Sequence, residues 1–136
     1  MVPLRPLLIA VALLVTGATA AGSATITQMR WQRRVLLVTA PDPADPKLLL
    51  QRGLLRAWTG GAARDLSLVV LVGRRVDGSA DTASALRRRF HLPSDRFAAL
   101  LIGKDGGVKL RADRPIPADT LQDTIDAMPM RQAGER

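Results

Sequence analysis

Three short apolar runs give this chain its clearest pattern. Residues 35–40, 66–72 and 97–102 read VLLVTA, LSLVVLV and FAALLI, and polar, proline or glycine residues bound each run. Runs of this length predict strands that are covered on both faces of a sheet. After the third run, the turn sequence KDGG predicts a hairpin in which residues 108–111 return as an antiparallel strand.

The segments between these strands carry helical spacing. Asp45 followed by Pro46 predicts a helix start, because the carboxylate caps free amides and proline suits the first helical position. Gly60 and Gly61 are expected to end this helix. Its buried side is predicted to hold Leu50, Leu54, Leu55 and Trp58, with Arg52 and Arg56 opposite.

Two further helices follow the same apolar spacing. Ala83, Leu86 and Phe90 recur at helical intervals after a polar, glycine-containing loop that runs through Ser79. The last helix is defined by Leu121, Ile125 and Met128, and Pro129 is expected to stop it.

The order of these elements predicts an α/β fold. It is β-α-β-α-β-β-α, a thioredoxin-like three-layer sandwich with a four-stranded mixed sheet. Because strand-helix-strand crossovers are right-handed and give parallel pairing, the first two strands should be parallel neighbours, with the hairpin beyond the first. One core is expected, formed by Leu37, Leu54, Leu71, Leu101 and Ile125.

The N-terminus has the layout of a signal peptide over residues 1–20. Arg5 precedes an apolar run over residues 7–15, and Ala18-Thr19-Ala20 fits cleavage after Ala20. The run is much shorter than the roughly 20 apolar residues of a membrane span, which disfavours an uncleaved anchor. The expected mature protein is secreted or periplasmic, with a linker at 21–30, one domain at 31–130 and a flexible tail at 131–136.

Composition excludes one class of chemistry and favours one kind of binding partner. The 136 residues contain no cysteine, so thiol–disulfide exchange is excluded. The formal net charge is +8 at pH 7, which favours polyanions, although such a charge can also serve solubility alone. The densest basic segments predict an anion-binding surface formed by Arg74, Arg75, Arg87 and Arg88.

No catalytic, cofactor or metal residue is predicted. His91 has no second histidine or cysteine to accompany it, and a structural role is favoured. Asp42 and Asp45 offer too few oxygen ligands for a cation, and capping is the favoured role of Asp45. Met128 and Met130 are soft donors of the type that binds cuprous copper, but methionines more commonly fill gaps in a core.

Longer segments carry a family resemblance. FAALLIGKDGGVKLR, at residues 97–111, resembles the third-strand hairpin of thioredoxin-like proteins. Together, WQRRVLLVTAPDPADPKL, ARDLSLVVLVG, LLIGKDGGVKLR and IDAMPMRQ resemble the bacterial secreted family called domain of unknown function 4174, over residues 31–132. The resemblance implies adhesion or matrix binding, as in related animal extracellular-matrix modules, and no assigned activity. Ala44 and Lys47 stand where thioredoxins carry their two cysteines, and Phe97 stands where they carry a cis-proline.

The sequence therefore favours a non-catalytic secreted module that binds a protein or an anionic polysaccharide or envelope partner. Specific nucleic-acid binding is not predicted, because helix-turn-helix, stacking and zinc-module patterns are missing. An enzyme whose site has no sequence motif, and a purely structural envelope protein, are the alternatives. A deep pocket with convergent titratable side chains would favour the enzyme.

We expect the purified protein to be redox-silent, because every step of disulfide exchange requires a thiolate. Insulin reduction and thiol-peroxidase turnover should not exceed the buffer blank. A rate above the blank that rises with protein concentration would contradict this expectation.

Overall fold

A computed structural model describes residues 24–134; the predicted signal peptide at 1–20 lies outside the described residues. The strands are β1 (Arg34–Ala40), β2 (Leu66–Val72), β3 (Arg75–Asp77), β4 (Ala98–Ile102) and β5 (Val108–Ala112). The helices are α1 (Ile26–Met29), α2 (Pro46–Ala57), α3 (Ala83–Phe90), α4 (Ala118–Asp126) and α5 (Pro129–Gln132), with a 3-10 helix at Thr59–Arg64. None of the helices within this part of the chain is long and apolar enough to cross a membrane.

The strands form one mixed sheet in the order β3-β2-β1-β4-β5. β1 is central, parallel to β2 and antiparallel to β4, so that Leu37 lies opposite both Val69 and Leu100. β4 and β5 form the predicted antiparallel hairpin. The parallel pairing of the first two strands and the position of the hairpin are confirmed.

The sheet has five strands, so the prediction of four is wrong. The additional strand, β3, pairs antiparallel with the end of β2, with Arg75 opposite Val72 and Asp77 opposite Val70. Gly73 makes the connecting turn at φ +59°, in the left-handed region that favours glycine. β3 was missed because its three residues include only one apolar side chain, Val76.

The sheet has an apolar cluster on each face, so the prediction of one core is also wrong. Leu37 and Leu71 pack with α1 and α3 on one face. Leu101 and Ile125 pack with α2 and α4 on the other. The division follows from strand geometry, in which successive side chains point to opposite faces of the sheet.

The buried side of α2 differs from the predicted one. Leu48 and Gln51 are buried, Leu50 is 55 % exposed, and Leu54 belongs to neither cluster. Gln51 is accommodated because its side-chain amide bonds the backbone of Ile116 in both directions, at 3.1 and 2.7 Å. The side of α2 that faces the core therefore carries Leu48, Gln51, Leu55 and Trp58. Because Gln51 is polar, the spacing of apolar residues did not predict this side.

Most of the predicted linker at 21–30 is part of the domain. Thr25 and Gln28 form a capping box at the start of α1, with hydrogen bonds of 2.9 and 3.1 Å. Ile26 and Met29 are buried in the cluster beneath α3. The linker prediction failed because a single helical turn carries too few residues to show periodicity.

The predicted tail at 131–136 begins inside a helix. Pro129 is the first residue of α5, and α4 already ends at Asp126. The Arg131 Nε lies 3.4 Å from the Asp126 carboxylate. Pro129 thus separates the two helices. It has no backbone N–H with which to continue α4, and its fixed φ suits the first position of α5.

Replacing Leu101 with Ala should lower the free energy of unfolding by about 2–5 kcal/mol, because the change leaves a cavity in a closed core. Leu101 has no exposed surface and lies between Leu36 of β1 and Leu110 of β5. Leu50→Ala is the matched control and should change stability by less than about 0.5 kcal/mol. Urea denaturation measures both, and equal losses would contradict the assigned packing.

Candidate functional site

Three of the four arginines of the predicted anion-binding surface lie at or reach the β2–β3 turn. Arg87 of α3 reaches that turn, where its Nη1 donates to the carbonyl oxygen of Gly73 at 2.6 Å. Arg74 is the next residue of the turn, and Arg75 begins β3. Arg88, beside Arg87 on α3, is exposed. The structure therefore brings Arg87 to the turn that carries Arg74.

Two of these four side chains already have structural partners. The Arg75 Nε lies 3.1 Å from the Asp77 carboxylate on the same short strand. The Arg87 guanidinium holds the turn, and its Nε is buried. The Asp77 carboxylate therefore offsets the charge of the exposed Arg75 side chain, and the Arg87 Nε faces the interior.

A second basic region, which sequence reasoning missed, is concave. A groove of about 910 Å³ lies between the second half of α2, the 3-10 helix and the start of β2. Three arginines line it, whereas no acidic side chain within residues 24–134 does. Its main lining residues are Arg33, Arg52, Arg56, Trp58, Leu66 and Leu68. We call this the arginine groove.

Arg33 is held along one wall of the arginine groove by neighbouring polar groups. Its Nε donates to the Ser67 hydroxyl at 2.8 Å and its Nη2 to the Leu66 carbonyl at 3.3 Å. The Asp65 carboxylate lies 3.8 Å from its Nη1. Because guanidinium has five N–H donors, the two hydrogen bonds orient Arg33 without exhausting its capacity to bind.

Arg52 and Arg56 occupy successive turns of α2, in the wall of the groove that α2 forms. Like charges four residues apart destabilise a helix by a few tenths of a kcal/mol, an effect that a bound anion would relieve. The Arg56 Nε is 3.5 Å from the Arg52 carbonyl, a marginal contact. Leu55 and Trp58 pack against the core while Arg56 is exposed, yet all four residues border the same groove.

Trp58 forms part of the groove beside two glycines. The Arg64 guanidinium lies over its ring, 5.7 Å from the centroid. A Cβ on Gly60 would collide with the Trp58 Nε1 and would lie 2.7 Å from the Arg64 Nη1. The two glycines were predicted to end α2, but the helix ends at Ala57 and they lie in the 3-10 helix. Gly60, which has no Cβ, instead leaves room for the indole of Trp58.

The 3-10 helix is joined to α4 by a two-pronged ion pair. The Arg64 Nε and Nη2 each lie 3.0 Å from a different oxygen of the Asp126 carboxylate. Hydrogen bonding by Arg64, and then its charge and that of Arg131, lower the pKa of Asp126. This pair fixes the wall of the arginine groove against the rest of the domain.

The remaining sequence candidates have structural roles. Asp45 caps α2, accepting from the amides of Lys47 and Leu48 at 3.0 and 3.2 Å, which confirms the capping interpretation. Asp42 accepts from the Ala44 amide at 2.8 Å. His91 is exposed and ends α3 in the left-handed conformation at φ +52°. Within residues 24–134, no group of three or more His, Cys, Asp or Glu side chains could hold a metal ion.

The residues that the resemblance to thioredoxins assigns to a redox site are ordinary surface and core residues. Ala44 and Lys47 are exposed at the start of α2, and the Lys47 Nζ donates to the Asp113 carbonyl at 3.2 Å. Phe97 is buried just before β4. Met128 is buried as well, and its sulfur accepts from the Arg34 Nε at 3.4 Å, whereas Met130 is half-buried.

A five-stranded mixed sheet with helices on both faces defines this protein as a mixed α/β domain. The sequence profile described as "Domain of unknown function (DUF4174)" matches residues 25–134. Because the match covers most of the chain, the protein belongs to that family, which confirms the resemblance to domain of unknown function 4174. The match also includes α1. No solved structure matches the chain.

Replacing Asp126 with Asn should destabilise the protein at neutral pH and much less in acid. The pKa of the folded carboxyl lies below its ordinary value of 3.8, so the ion pair stabilises above that pH and is lost as the pH falls through the folded pKa. The gap between the wild-type and Asp126→Asn free energies of unfolding should therefore narrow as the pH falls below 3.8 and through the folded pKa.

Denaturant titrations at pH 7, 5 and 3 measure this effect. Asp95→Asn is the control, because it also removes one surface carboxylate, but one whose ion pair joins neighbouring residues only. A pH-independent gap between wild type and Asp126→Asn would contradict the assigned role, as would the same convergence in the control.

Proposed function

We propose that this protein is a non-catalytic, thioredoxin-like binding module, secreted or periplasmic, that holds an anionic polymer such as an acidic polysaccharide in the arginine groove. The observation that carries the proposal is the groove itself. Three arginines and a tryptophan line one concavity to which no acidic side chain of the described residues contributes.

The chemistry of the lining favours sulfate or carboxylate groups on a carbohydrate. Arginine presents a planar fork of donors that matches such anions in a bidentate manner. Trp58 and Leu55 add apolar surface, against which the face of a sugar ring can pack. Because Arg33 and the Arg52–Arg56 pair lie in different walls, successive charges along a polymer can be bound together.

The same lining argues against acid–base catalysis in the groove. Guanidinium stays protonated in proteins, so arginine cannot serve as a general base near neutral pH. The groove has no carboxylate or imidazole from the described residues to take that role. Since the chain also has no cysteine, a thioredoxin-like scaffold would here serve binding.

Three double variants, each removing two positive charges, test the proposal. Arg52→Gln/Arg56→Gln alters the arginine groove, and Arg74→Gln/Arg88→Gln alters the surface predicted from sequence. Arg96→Gln/Arg114→Gln is the control, because both side chains are well exposed and lie elsewhere. Circular dichroism should show that all three variants fold.

The groove variant should elute from heparin at distinctly lower salt than the other two. Its affinity should fall by about tenfold or more, because each hydrogen bond to a charged group contributes about 1.5–3 kcal/mol. Binding by every variant should weaken with salt, since the attraction is screened. Equal losses of heparin affinity in all three variants would show that binding depends on net charge and not on the groove. A larger loss of heparin affinity in Arg74→Gln/Arg88→Gln would instead assign binding to the surface predicted from sequence.

A further inference from the structure

A second, smaller pocket lies where β1 begins, beside the β4–β5 turn and α5. Its volume is about 240 Å³, and it shares no lining residue with the arginine groove. Its main lining residues are Trp31, Arg34, Lys104, Met128, Pro129 and Met130. We call it the methionine pocket.

Arg34 brings an incompletely paired charge into the wall of the methionine pocket. Its side chain has no exposed surface. Its Nη1 donates to the Arg64 carbonyl at 2.8 Å and its Nε to the Met128 sulfur, a weak acceptor, at 3.4 Å. The Nη2 is buried and has no acceptor within residues 24–134. A buried charged donor without an acceptor is costly, so an acceptor supplied by a ligand would be strongly favoured.

The other two cations of the methionine pocket already have carboxylate partners. The Lys104 Nζ lies 3.0 Å from the Asp65 carboxylate, and the Lys109 Nζ lies 2.7 Å from that of Asp105. Arg34 therefore provides the donor that a ligand can satisfy. One such donor suits a singly charged group better than a phosphate, whose several oxygens need several donors.

The rest of the lining is apolar and adaptable. Trp31 is 57 % exposed and is held at φ +70°, a conformation that bulky residues rarely adopt, by the hydrogen bond from its amide to the Lys104 carbonyl. Met128 and Met130 have long, unbranched side chains that can change rotamer. Such a change is needed for a ligand to reach Arg34, because Arg34 is covered.

We propose that the methionine pocket binds a small organic carboxylate, with its anionic end on the Arg34 Nη2 and its apolar body against Trp31 and Met130. The pocket is smaller than the 300–1,000 Å³ typical of sites for drug-sized ligands, which restricts the body to a short chain or a single small ring. The site is separate from the arginine groove, since the two share no lining residue.

Titration of the ¹⁵N-labelled protein with hexanoate, followed by NMR, tests the proposal. The chain has only two tryptophans, so the indole N–H of Trp31 reports the methionine pocket and that of Trp58 reports the arginine groove. Hexanoate should shift the Trp31 indole and the amides of Lys104 and Met130 in a saturable manner, at concentrations lower than any that shift Trp58. Hexanamide, the neutral isostere, should not do so at the same concentration.

Two sources of the carboxylate can be distinguished in the same way. N-acetyl-leucine represents the end of a peptide chain, whereas hexanoate represents a free acid. The compound that binds with the higher affinity indicates the source of the natural carboxylate. Saturable binding of either compound at Trp31 supports the site. No saturable shift with either compound would overturn the proposal.

Variants separate the pocket from general effects of charge. Arg34→Met removes the proposed donor and should abolish binding.

Because Arg34 also supports the fold, Met130→Glu is the second variant and places a competing carboxylate in the pocket wall. Its hexanoate affinity should fall by about tenfold or more. Val108→Glu adds the same charge at an exposed position outside the pocket and should bind as wild type does. Equal affinities in the two glutamate variants, or equal shifts by hexanoate and hexanamide, would overturn the proposal.

Discussion

β1 lies between two strands and between two layers of helices, so all seven of its residues are buried. Because side chains alternate along a strand, this one element supplies Leu37 to one apolar cluster and Leu36 to the other. The same burial encloses Arg34 at the start of β1. Both the layered core and the incompletely paired guanidinium thus follow from the central position of this strand.

Some arginines of this basic chain are structural links, whereas others line the groove proposed to bind a ligand. Arg64 joins the 3-10 helix to Asp126, and Arg87 joins α3 to the β2–β3 turn. These contacts use guanidinium donors inside the molecule, where they organise loops. Net charge therefore overstates the number of guanidinium donors that face solvent, and the proposed binding depends on the concave arrangement of Arg33, Arg52 and Arg56.

The two proposed sites are joined through one residue. Arg34, in the wall of the methionine pocket, donates to the carbonyl of Arg64. The guanidinium of Arg64 lies over Trp58 in the arginine groove. The 3-10 helix thus contacts both regions, and the Asp126 ion pair helps to fix its position.

Local sequence determined the elements whose signals are short-range. The apolar runs of β1, β2 and β4, the Asp45 cap and the hairpin turn each depend on a few neighbouring residues, and the structure confirms them. Tertiary structure alone decided the rest. β3 exists because β2 offers it backbone partners, and Gln51 is buried because Ile116 satisfies its amide. The arginine groove and the methionine pocket bring together residues distant in sequence, whose proximity no local periodicity encodes.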